Sequence, residues 1–299
     1  MNKRFVTYKN GNYRVMIDLK TGTKIRENDL DFFHADFPES MDIKICNKCN
    51  MGCPMCHENS TPDGECGDIM GAKFIETLHP YTELAIGGGN PLEHPDFEAF
   101  LQKCKELKLI PSVTVHQNHF MGRAAALKKL CDEKLIYGLG VSLHDPYDKD
   151  FQAAIRAFPN AVVHVINGMV TPEALLDFAE ATKHEVKILI LGYKNFRRGA
   201  TLYEAAAANI ETKKQALYSS LGSILESFSV VSFDNLAIEQ LNPSRLVSNG
   251  MWNECYMGDD GTATMYIDMV KGECARTSTS TERFPMEDNI VSMFEKVRK

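Results

Sequence analysis

The middle of the chain alternates between short apolar runs and stretches with helical spacing. The first run, MDIKI at 41–45, alternates in polarity and contains β-branched isoleucines, which predicts a strand. Five further runs predict buried strands: ELAIG at 83–87, SVTVHQN at 112–118, LIYGLGVSLHD at 135–145, AVVHVING at 161–168 and EVKILILGY at 185–193. The segments between them predict helices, for example FMGRAAALKKLCDEK at 120–134 and TPEALLDFAEATKH at 171–184. Strands that alternate with helices predict a sheet of parallel βαβ units.

The two ends of the chain show different patterns. Residues 13–27 alternate in polarity around a Lys-Thr-Gly turn, which predicts a β-hairpin. From residue 228 onwards, SVVSFDNLAIEQLNP predicts a strand and loop that close the open side of the βα region. Residues 253–280 predict two strands joined by a turn, with Cys255 and Cys274 at the ends. We therefore expect an N-terminal extension over 1–40, a region of βα units over 41–227 and a C-terminal extension over 228–299.

Composition and charge narrow the class of protein. Of the 299 residues, 44% are hydrophobic and 24% are charged, as in ordinary globular domains. The net charge of -7 argues against a broad electrostatic surface for nucleic acid. Neither a signal-peptide pattern nor an apolar run of membrane-spanning length occurs. We expect a soluble cytoplasmic protein, in which thiols stay reduced and clustered cysteines are more often metal ligands than disulfides.

Four of the nine cysteines lie in CNKCNMGCPMCHEN, residues 46–59. Two C-x-x-C pairs could bind zinc, although structural zinc sites usually separate such pairs by a longer loop. The bacterial ferredoxin spacing does not fit at any offset. Cys49, Cys53 and Cys56 follow a C-x3-C-x2-C spacing. With that spacing one loop can supply three thiolates to a 4Fe–4S cluster and leave the fourth iron open to a substrate or cofactor.

The stretch CNMGCPMC, residues 49–56, resembles the cluster loop of the radical S-adenosylmethionine (radical SAM) superfamily. The resemblance implies an α/β fold with a partial (β/α)6 TIM-like barrel, and a 4Fe–4S cluster bound by Cys49, Cys53 and Cys56. It also implies that S-adenosylmethionine binds the fourth iron and is cleaved reductively to a 5′-deoxyadenosyl radical, which abstracts hydrogen from a substrate. Met55 stands where the family usually has an aromatic residue, and methionine can pack against an adenine ring. Cys46 then lies outside the cluster, as a small buried residue that ends the preceding strand.

GGGNPL, residues 87–92, occupies the place of the G-G-E-P-like motif that the family has at the end of its second strand. The resemblance implies that the backbone of Gly88, Gly89 and Asn90 holds the amino group of the cofactor, with Asn90 where glutamate is common. Active sites of such barrels lie at the carboxyl ends of the strands. Polar residues at the later strand ends are therefore further candidates for cofactor binding: Asn118, Ser142 and Asn167.

Other polar residues near these strand ends are open to two interpretations. His144 either contacts the cofactor or caps its strand. Lys194, Arg197 and Arg198 either hold a phosphate or carboxylate of the substrate, or balance acidic surroundings. Arg156 either pairs with the carboxylate of the cofactor or, as we prefer, lies on a helix surface in solvent.

The sequence therefore predicts a radical SAM oxidoreductase that takes electrons from a donor such as flavodoxin or ferredoxin and acts on a peptide or protein. The alternatives are a nucleoside or other small-molecule substrate, and a non-catalytic zinc- or iron–sulfur-binding protein. The C-terminal part resembles the SPASM and twitch extensions that carry auxiliary clusters. Such extensions normally contain more cysteines than Cys255 and Cys274, even if Cys66 contributes, so we expect no second cluster. Cys104 and Cys131 fall in helical patterns and are expected in the core.

Overall fold

The computed structural model describes residues 4–30 and 32–298. The chain begins with three antiparallel strands, β1 (Phe5–Asn10), β2 (Tyr13–Asp18) and β3 (Lys24–Glu27), which form a separate sheet in that order. Tyr13, Val15 and Ile17 alternate along β2 and are buried, so one face of this sheet packs into the interior. The hairpin predicted over 13–27 is confirmed, and β1 adds a strand that was not predicted.

Six parallel strands form the wall of the barrel. They are β4 (Ser40–Cys46), β5 (Glu83–Gly88), β6 (Ile110–His116), β7 (Gly138–Ser142), β8 (Ala161–Ile166) and β9 (Lys187–Leu191). Each strand pairs in parallel with the next one along the chain. The parallel βαβ units predicted from the β/α rhythm, and the partial TIM-like barrel that the family resemblance implies, are confirmed.

Side chains alternate between the two faces of each barrel strand. On β6, Val113 and Val115 are buried in the main hydrophobic core, and Thr114 and His116 point to the opposite face. The apolar half of this alternation produced the runs seen in the sequence. The other half lines the inside of the barrel with smaller and more polar residues.

Helices connect the barrel strands. They are α1 (Phe97–Glu106), α2 (Gln117–Asp132), α3 (Lys149–Ile155), α4 (Pro172–Ala181) and α5 (Arg198–Ser227). Helix α5 was not predicted. Its buried aliphatic side chains lie three, four or seven positions apart, which places them on one face of the helix: Ile210, Leu217, Leu221 and Ile224. Within residues 4–30 and 32–298, no helix has both the length and the apolar character needed to cross a bilayer.

The C-terminal segment extends the barrel sheet at both edges. Its elements are β10 (Val230–Phe233), α6 (Asn235–Leu241), α7 (Asn249–Cys255), β11 (Thr264–Asp268), β12 (Glu273–Ala275), β13 (Phe284–Pro285) and α8 (Ile290–Val297). Strand β10 pairs in parallel with β9 and is the strand expected after residue 228. Strand β11 lies at the other edge, where it pairs in parallel with β4, and β12 and β13 follow it antiparallel.

The predicted positions of Cys255 and Cys274 were wrong. Cys255 ends α7 and is exposed, whereas Cys274 lies inside β12 and is buried. The two thiols are therefore not the ends of one hairpin. The reason is local: the Ser248 hydroxyl accepts a hydrogen bond from the amide of Met251 and begins a helix where a strand was expected.

Candidate active site

The loop that carries the cysteine motif begins where β4 ends, at the carboxyl rim of the barrel. Backbone hydrogen bonds hold its two sides together: the amide of Cys49 donates to the carbonyl of Thr61 (2.8 Å), and the amide of Thr61 donates to the carbonyl of Asn47 (3.1 Å). Inside the loop, the amide of Cys56 donates to the carbonyl of Cys53 (3.2 Å). Cys49, Cys53 and Cys56 are free and half-buried. One short braced loop therefore presents three thiols.

Local electrostatics distinguish Cys56 from the other two thiols of the loop. Burial raises the pKa of Cys49 and Cys53. Burial acts in the same direction on Cys56, but hydrogen bonds from the Ser60 amide and the Arg198 guanidinium outweigh it and lower the pKa of that thiol. The thiolate is the form that binds metal, so this position is prepared for a ligand role.

Three free thiols on one loop are the kind of donor that an iron–sulfur cluster takes. In the part of the chain that the structure describes, no three Cys, His, Asp or Glu side chains converge as ligands of one metal ion. In a 4Fe–4S cluster each thiolate binds a different iron. The three thiols therefore need to lie on one loop around the cluster, but they do not need to converge on a single metal ion. Cys104 and Cys131 lie on α1 and α2 and pack in or against the core, as expected, away from this loop.

Cys46 is fully buried at the end of β4, as predicted, but it is bonded to Cys66. The chain returns antiparallel to β4 at this point, and the amide of Gly67 donates to the carbonyl of Ile45 (2.9 Å). This pairing places the two cysteines opposite one another. It removes Cys46 from the cluster ligands and joins the two ends of the loop 47–65. Sequence spacing alone does not reveal such a partner.

The glycine turn predicted to hold the cofactor packs directly on the cysteine loop. Gly88 pairs with Cys46 in the β4–β5 ladder, and the amide of Gly89 donates to the carbonyl of Cys46 (2.6 Å). A Cβ atom at Gly89 would lie 2.4 Å from the Lys48 carbonyl oxygen, so this close approach requires glycine. Asn90 is buried, and its amide donates to the same Lys48 oxygen (2.7 Å). Turn and loop therefore form one rigid corner.

The other residues predicted to bind the cofactor lie in different environments. Ser142 ends β7 and is half-buried, and Met55 is half-buried on the cysteine loop near the start of α5. Asn118 is exposed on the first turn of α2 and not at a strand end. Asn167 is fully buried, and its Nδ2 donates to Gln240 Oε1 on α6 (2.9 Å). The Asn167 side chain therefore joins β8 to the closing segment.

Three histidines stand together at the same rim, of which only His144 was predicted. The ring of His116, at the end of β6, lies 5.1 Å from that of His144 and 6.0 Å from that of His119. His119 Nε2 is 3.0 Å from Asn50 Oδ1 on the cysteine loop. Burial, together with the two neighbouring histidines, lowers the pKa of His116 to about 4. Its neutral ring offers a hydrogen-bonding and stacking surface beside the loop.

The two arginines predicted at the barrel mouth bind the backbone of the cysteine loop. Arg197 Nη1 donates to the carbonyl oxygens of His57 (3.3 Å) and Glu58 (3.0 Å), and Arg198 Nη2 donates to that of Ser60 (2.9 Å). Both arginines lie where α5 begins. The start of this helix therefore supports the side of the loop that follows Cys56.

Two further basic residues have specific partners. Lys194 Nζ is 2.9 Å from Ser278 Oγ, in the segment after β12, and 3.4 Å from His57 Nε2. Arg156 Nε donates to Glu185 Oε2 (2.9 Å) on the exposed surface, which confirms the preferred interpretation of that arginine. Lys194 thus connects the end of β9, the cysteine loop and the C-terminal segment.

One buried group of charges was missed by the sequence patterns. Lys44 Nζ lies 2.9 Å from Glu58 Oε2 and 3.5 Å from Asp268 Oδ2, and Tyr266 Oη donates to Glu58 Oε1 (3.3 Å). Although burial favours the neutral acid, His57 and Lys44 hold the pKa of Glu58 well below its usual range. A lysine inside the apolar run MDIKI was the available signal.

A cleft of about 230 Å³ opens beside this group of charges. Its walls come from β4, from both sides of the cysteine loop, from the residue before α5 and from the turn after β11. The lining residues are Lys44, Asn47, Glu58, Asn59, Arg197 and Lys271. The C-terminal segment therefore borders the site and contributes to its wall.

Solved structures share the architecture described above. The Streptococcus suis protein SuiB bound to precursor peptide SuiA matches with a TM-score of 0.65 at 12% identity, over 99% of this chain and 89% of that chain. SuiB bound to S-adenosylmethionine matches with a TM-score of 0.64 at 12% identity, over 100% of this chain and 90% of that chain. The chain has the SuiB fold. Native anSMEcpe with bound AdoMet matches with a TM-score of 0.51 at 15% identity, over 87% and 79% of the two chains.

This fold spans both extensions as well as the barrel, because the SuiB matches cover nearly the whole chain. No protein-family model matches the sequence, and a search of curated proteins finds no match. The fold expected from the cysteine motif and the β/α rhythm is thus confirmed by structure, at a level of identity where sequences have diverged widely.

Proposed function

We propose that the protein is a radical SAM enzyme with one 4Fe–4S cluster on Cys49, Cys53 and Cys56. The observation that carries the proposal is the corner at the end of β4, where three free thiols on one loop pack against the glycine turn. The fold supports it, because SuiB and anSMEcpe share this fold and were solved with S-adenosylmethionine. When bound, the cluster supplies the electron that cleaves S-adenosylmethionine, and the resulting radical abstracts hydrogen from the substrate.

The residues of the loop hold the cluster and balance its charge. The Ser60 amide and the Arg198 guanidinium stabilise Cys56 as a thiolate. Arg198 also adds a positive charge beside a group of thiolates, which favours their ionised form. Arg197 fixes the carbonyl oxygens of His57 and Glu58, so that the loop keeps its shape before and after loading.

The residues around the loop orient S-adenosylmethionine. The Gly88–Asn90 turn would bind its amino group through backbone atoms, because the turn is already fixed against the cysteine loop. Ser142 would bind the carboxylate or ribose, and Met55 would pack on the adenine. Asn118 would contact the cofactor from α2, and Asn167 would support the rim through Gln240.

The C-terminal segment covers the barrel mouth and selects the substrate. The contact between Lys194 and Ser278 joins β9 to the segment after β12, two parts that lie far apart in the order of the sheet. Such a cover excludes water from a reactive intermediate. With Cys255 exposed and Cys274 buried in a strand, we propose that this segment holds no second cluster.

A peptide or protein is the proposed substrate, supported by the SuiB structure that contains a precursor peptide. A nucleoside or other small molecule is the alternative. We further propose that flavodoxin or ferredoxin supplies the electron, and that the protein works in the cytoplasm, where such donors operate. We also propose that the chain is organised in three parts: an N-terminal extension over residues 1–40, the barrel over 41–227 and the C-terminal extension over 228–299.

Anaerobic reconstitution tests the proposal. The wild type should bind about four irons and four sulfides per chain, as one 4Fe–4S cluster requires. With a chemical reductant it should convert S-adenosylmethionine to 5′-deoxyadenosine, detected by mass spectrometry. Replacing Cys49, Cys53 or Cys56 by alanine should abolish both results, because each thiolate holds one iron. Cys131→Ala is the matched control and should retain both.

Three outcomes would contradict the proposal in different ways. Zinc bound in place of iron would favour a structural metal site. A stable cluster without cofactor cleavage would favour a non-catalytic iron–sulfur protein. A loss of iron in Cys131→Ala equal to that in Cys53→Ala would show that the ligands had been assigned wrongly.

A further inference from the structure

Glu58 connects three parts of the molecule that are distant in sequence. Its carboxylate lies 2.9 Å from Lys44 Nζ on β4 and 3.6 Å from Arg197 Nη1 before α5, and it accepts a hydrogen bond from Tyr266 Oη on β11 (3.3 Å). Lys44 Nζ also lies 3.5 Å from Asp268 Oδ2, again on β11. We call Lys44, Glu58, Tyr266 and Asp268 the rim clamp; all four are less than one-tenth exposed.

Packing alone does not explain the rim clamp. Ions lose their hydration when they are buried. A protein in which well-packed apolar side chains of the same volume replace a buried ion pair is often at least as stable. Three ionisable groups in contact at the end of a barrel strand therefore suggest a role beyond holding the chain together. Their position suggests which role, since Glu58 follows Cys56 by two residues.

The backbone of Glu58 shows what its side chain holds in place. The amide of Asn59, the residue that follows Glu58, donates to the carbonyl of Cys56 (3.3 Å), which closes a turn over residues 56–59. Arg197 binds the carbonyl oxygens of His57 and Glu58 in this turn. With the Glu58 carboxylate anchored on β4 and β11, the backbone of this turn is held beside Cys56.

We propose that Glu58 is a positioning residue for the cluster, and that through the rim clamp the C-terminal strand β11 sets the reduction potential of the cluster. The inference rests on the proposed cluster at Cys56. Hydrogen bonds to cluster sulfurs and charges near the cluster are the means by which a protein tunes such a potential. The C-terminal segment is then part of the redox centre as well as its cover.

Single substitutions in the rim clamp should shift the potential in opposite directions. Glu58→Gln removes one negative charge but keeps an oxygen for Tyr266, so reduction of the cluster becomes more favourable. We expect about a tenfold larger equilibrium constant for reduction, which is about 59 mV for a one-electron couple. Asp268→Asn should shift it in the same direction by less. Lys44→Met removes a positive charge and should make reduction less favourable.

Anaerobic potentiometric titration, followed by electron paramagnetic resonance of the reduced cluster, measures these shifts. Iron content is measured on each sample, so that a loss of cluster is not mistaken for a change in potential. Asp259→Asn, an exposed carboxylate in the same segment, is the matched control for charge and should leave the potential unchanged. Tyr256→Phe is the control for Tyr266→Phe, which should produce a shift smaller than that of Glu58→Gln.

A merely structural role predicts lower cluster occupancy in every variant, with no dependence on the sign of the charge. The proposal is overturned if Glu58→Gln and Lys44→Met shift the potential in one direction, or if neither shifts it at full iron content. Should Lys44→Met fail to fold, Glu58→Gln and Asp268→Asn must both raise the potential while Lys44→Arg leaves it unchanged. A wild-type cluster that cannot cleave S-adenosylmethionine contradicts the proposed function alone, and a wild type without a cluster contradicts both.

Discussion

Buried charges hold the barrel at both of its ends, and the two groups differ in what they are attached to. At the amino end, Glu39 precedes β4 and its carboxylate lies 3.2 Å from Lys24 Nζ and 2.9 Å from Arg26 Nε, both on β3. Tyr13 of β2 donates a hydrogen bond to the same carboxylate. Lys24 also reaches Glu83 at the start of β5 (2.8 Å). This group joins strands of the N-terminal sheet to strands of the barrel.

At the carboxyl end, the rim clamp attaches a loop instead of a strand. Glu58 belongs to the cysteine loop, and its partners belong to β4 and β11. The same kind of ion contact therefore stabilises the framework at one end and positions functional backbone at the other. This division agrees with the general behaviour of such barrels, in which the carboxyl end carries the chemistry and the amino end carries stability.

The largest effect is expected from a substitution that breaks the group of charges at the amino end of the barrel. Glu39→Ala would remove the buried carboxylate that Lys24 and Arg26 share and leave Lys24 only its contact with Glu83, so the free energy of unfolding should fall by about 3–5 kcal/mol. Urea denaturation measures it. Asp288→Ala is the control, because its contact with Lys73 is exposed and should contribute at most about 1 kcal/mol. The folded fraction of Glu39→Ala should still bind a full cluster; a loss of iron there would remove the distinction between the two ends.

A second prediction tests the carboxyl end without touching a charge. Gly89→Ala should lower the iron content at least several-fold, because the new Cβ would meet the Lys48 carbonyl oxygen at 2.4 Å and push the turn away from the cysteine loop. Gly87→Ala is the matched control, since a Cβ there meets nothing within 4 Å, and it should keep its cluster. The cluster content of both variants is measured by iron and sulfide quantitation after reconstitution. Equal iron in both variants would mean that the turn and the loop are independent.

The smallest effect is expected from a substitution inside the barrel, between its two ends. Burial lowers the pKa of His164 on β8 from 6.5 to about 4. Between these two values the unfolded chain binds a proton that the folded chain does not, so the free energy of unfolding should fall as the pH falls from 6.5 to 4. His164→Gln should flatten this dependence by at most about 1.4 kcal/mol per pH unit.

Urea titrations at several pH values measure that slope. Thr114→Val on β6, which changes no titratable group, is the control and should leave the slope unchanged. His116 contributes a slope of the same sign and remains in both variants, so the dependence should weaken without disappearing. A steeper slope in His164→Gln would show that the ring is charged in the folded protein.

Local patterns predicted most of the barrel because its signals are short. The alternation on β6 and the helical spacing of α4 each lie within about ten residues, and the thiol spacing of the cysteine loop lies within eight. The same local reasoning failed around Cys255, where one capping serine began a helix. It also missed α5, whose buried positions repeat over a longer stretch than the patterns that were considered.

The sequence by itself determined the six barrel strands and which three cysteines share a loop, because these depend on side-chain periodicity and spacing along the chain. Only the tertiary structure decided what lies beside that loop. Strand β11 pairs with β4 in the register that sets Asp268 opposite Lys44, although more than 200 residues separate them. Lys44 in an apolar strand indicated that a counter-charge was needed, but parallel pairing across such a distance carries no local signal. The bond between Cys46 and Cys66 has the same origin, since it follows from backbone pairing and not from spacing.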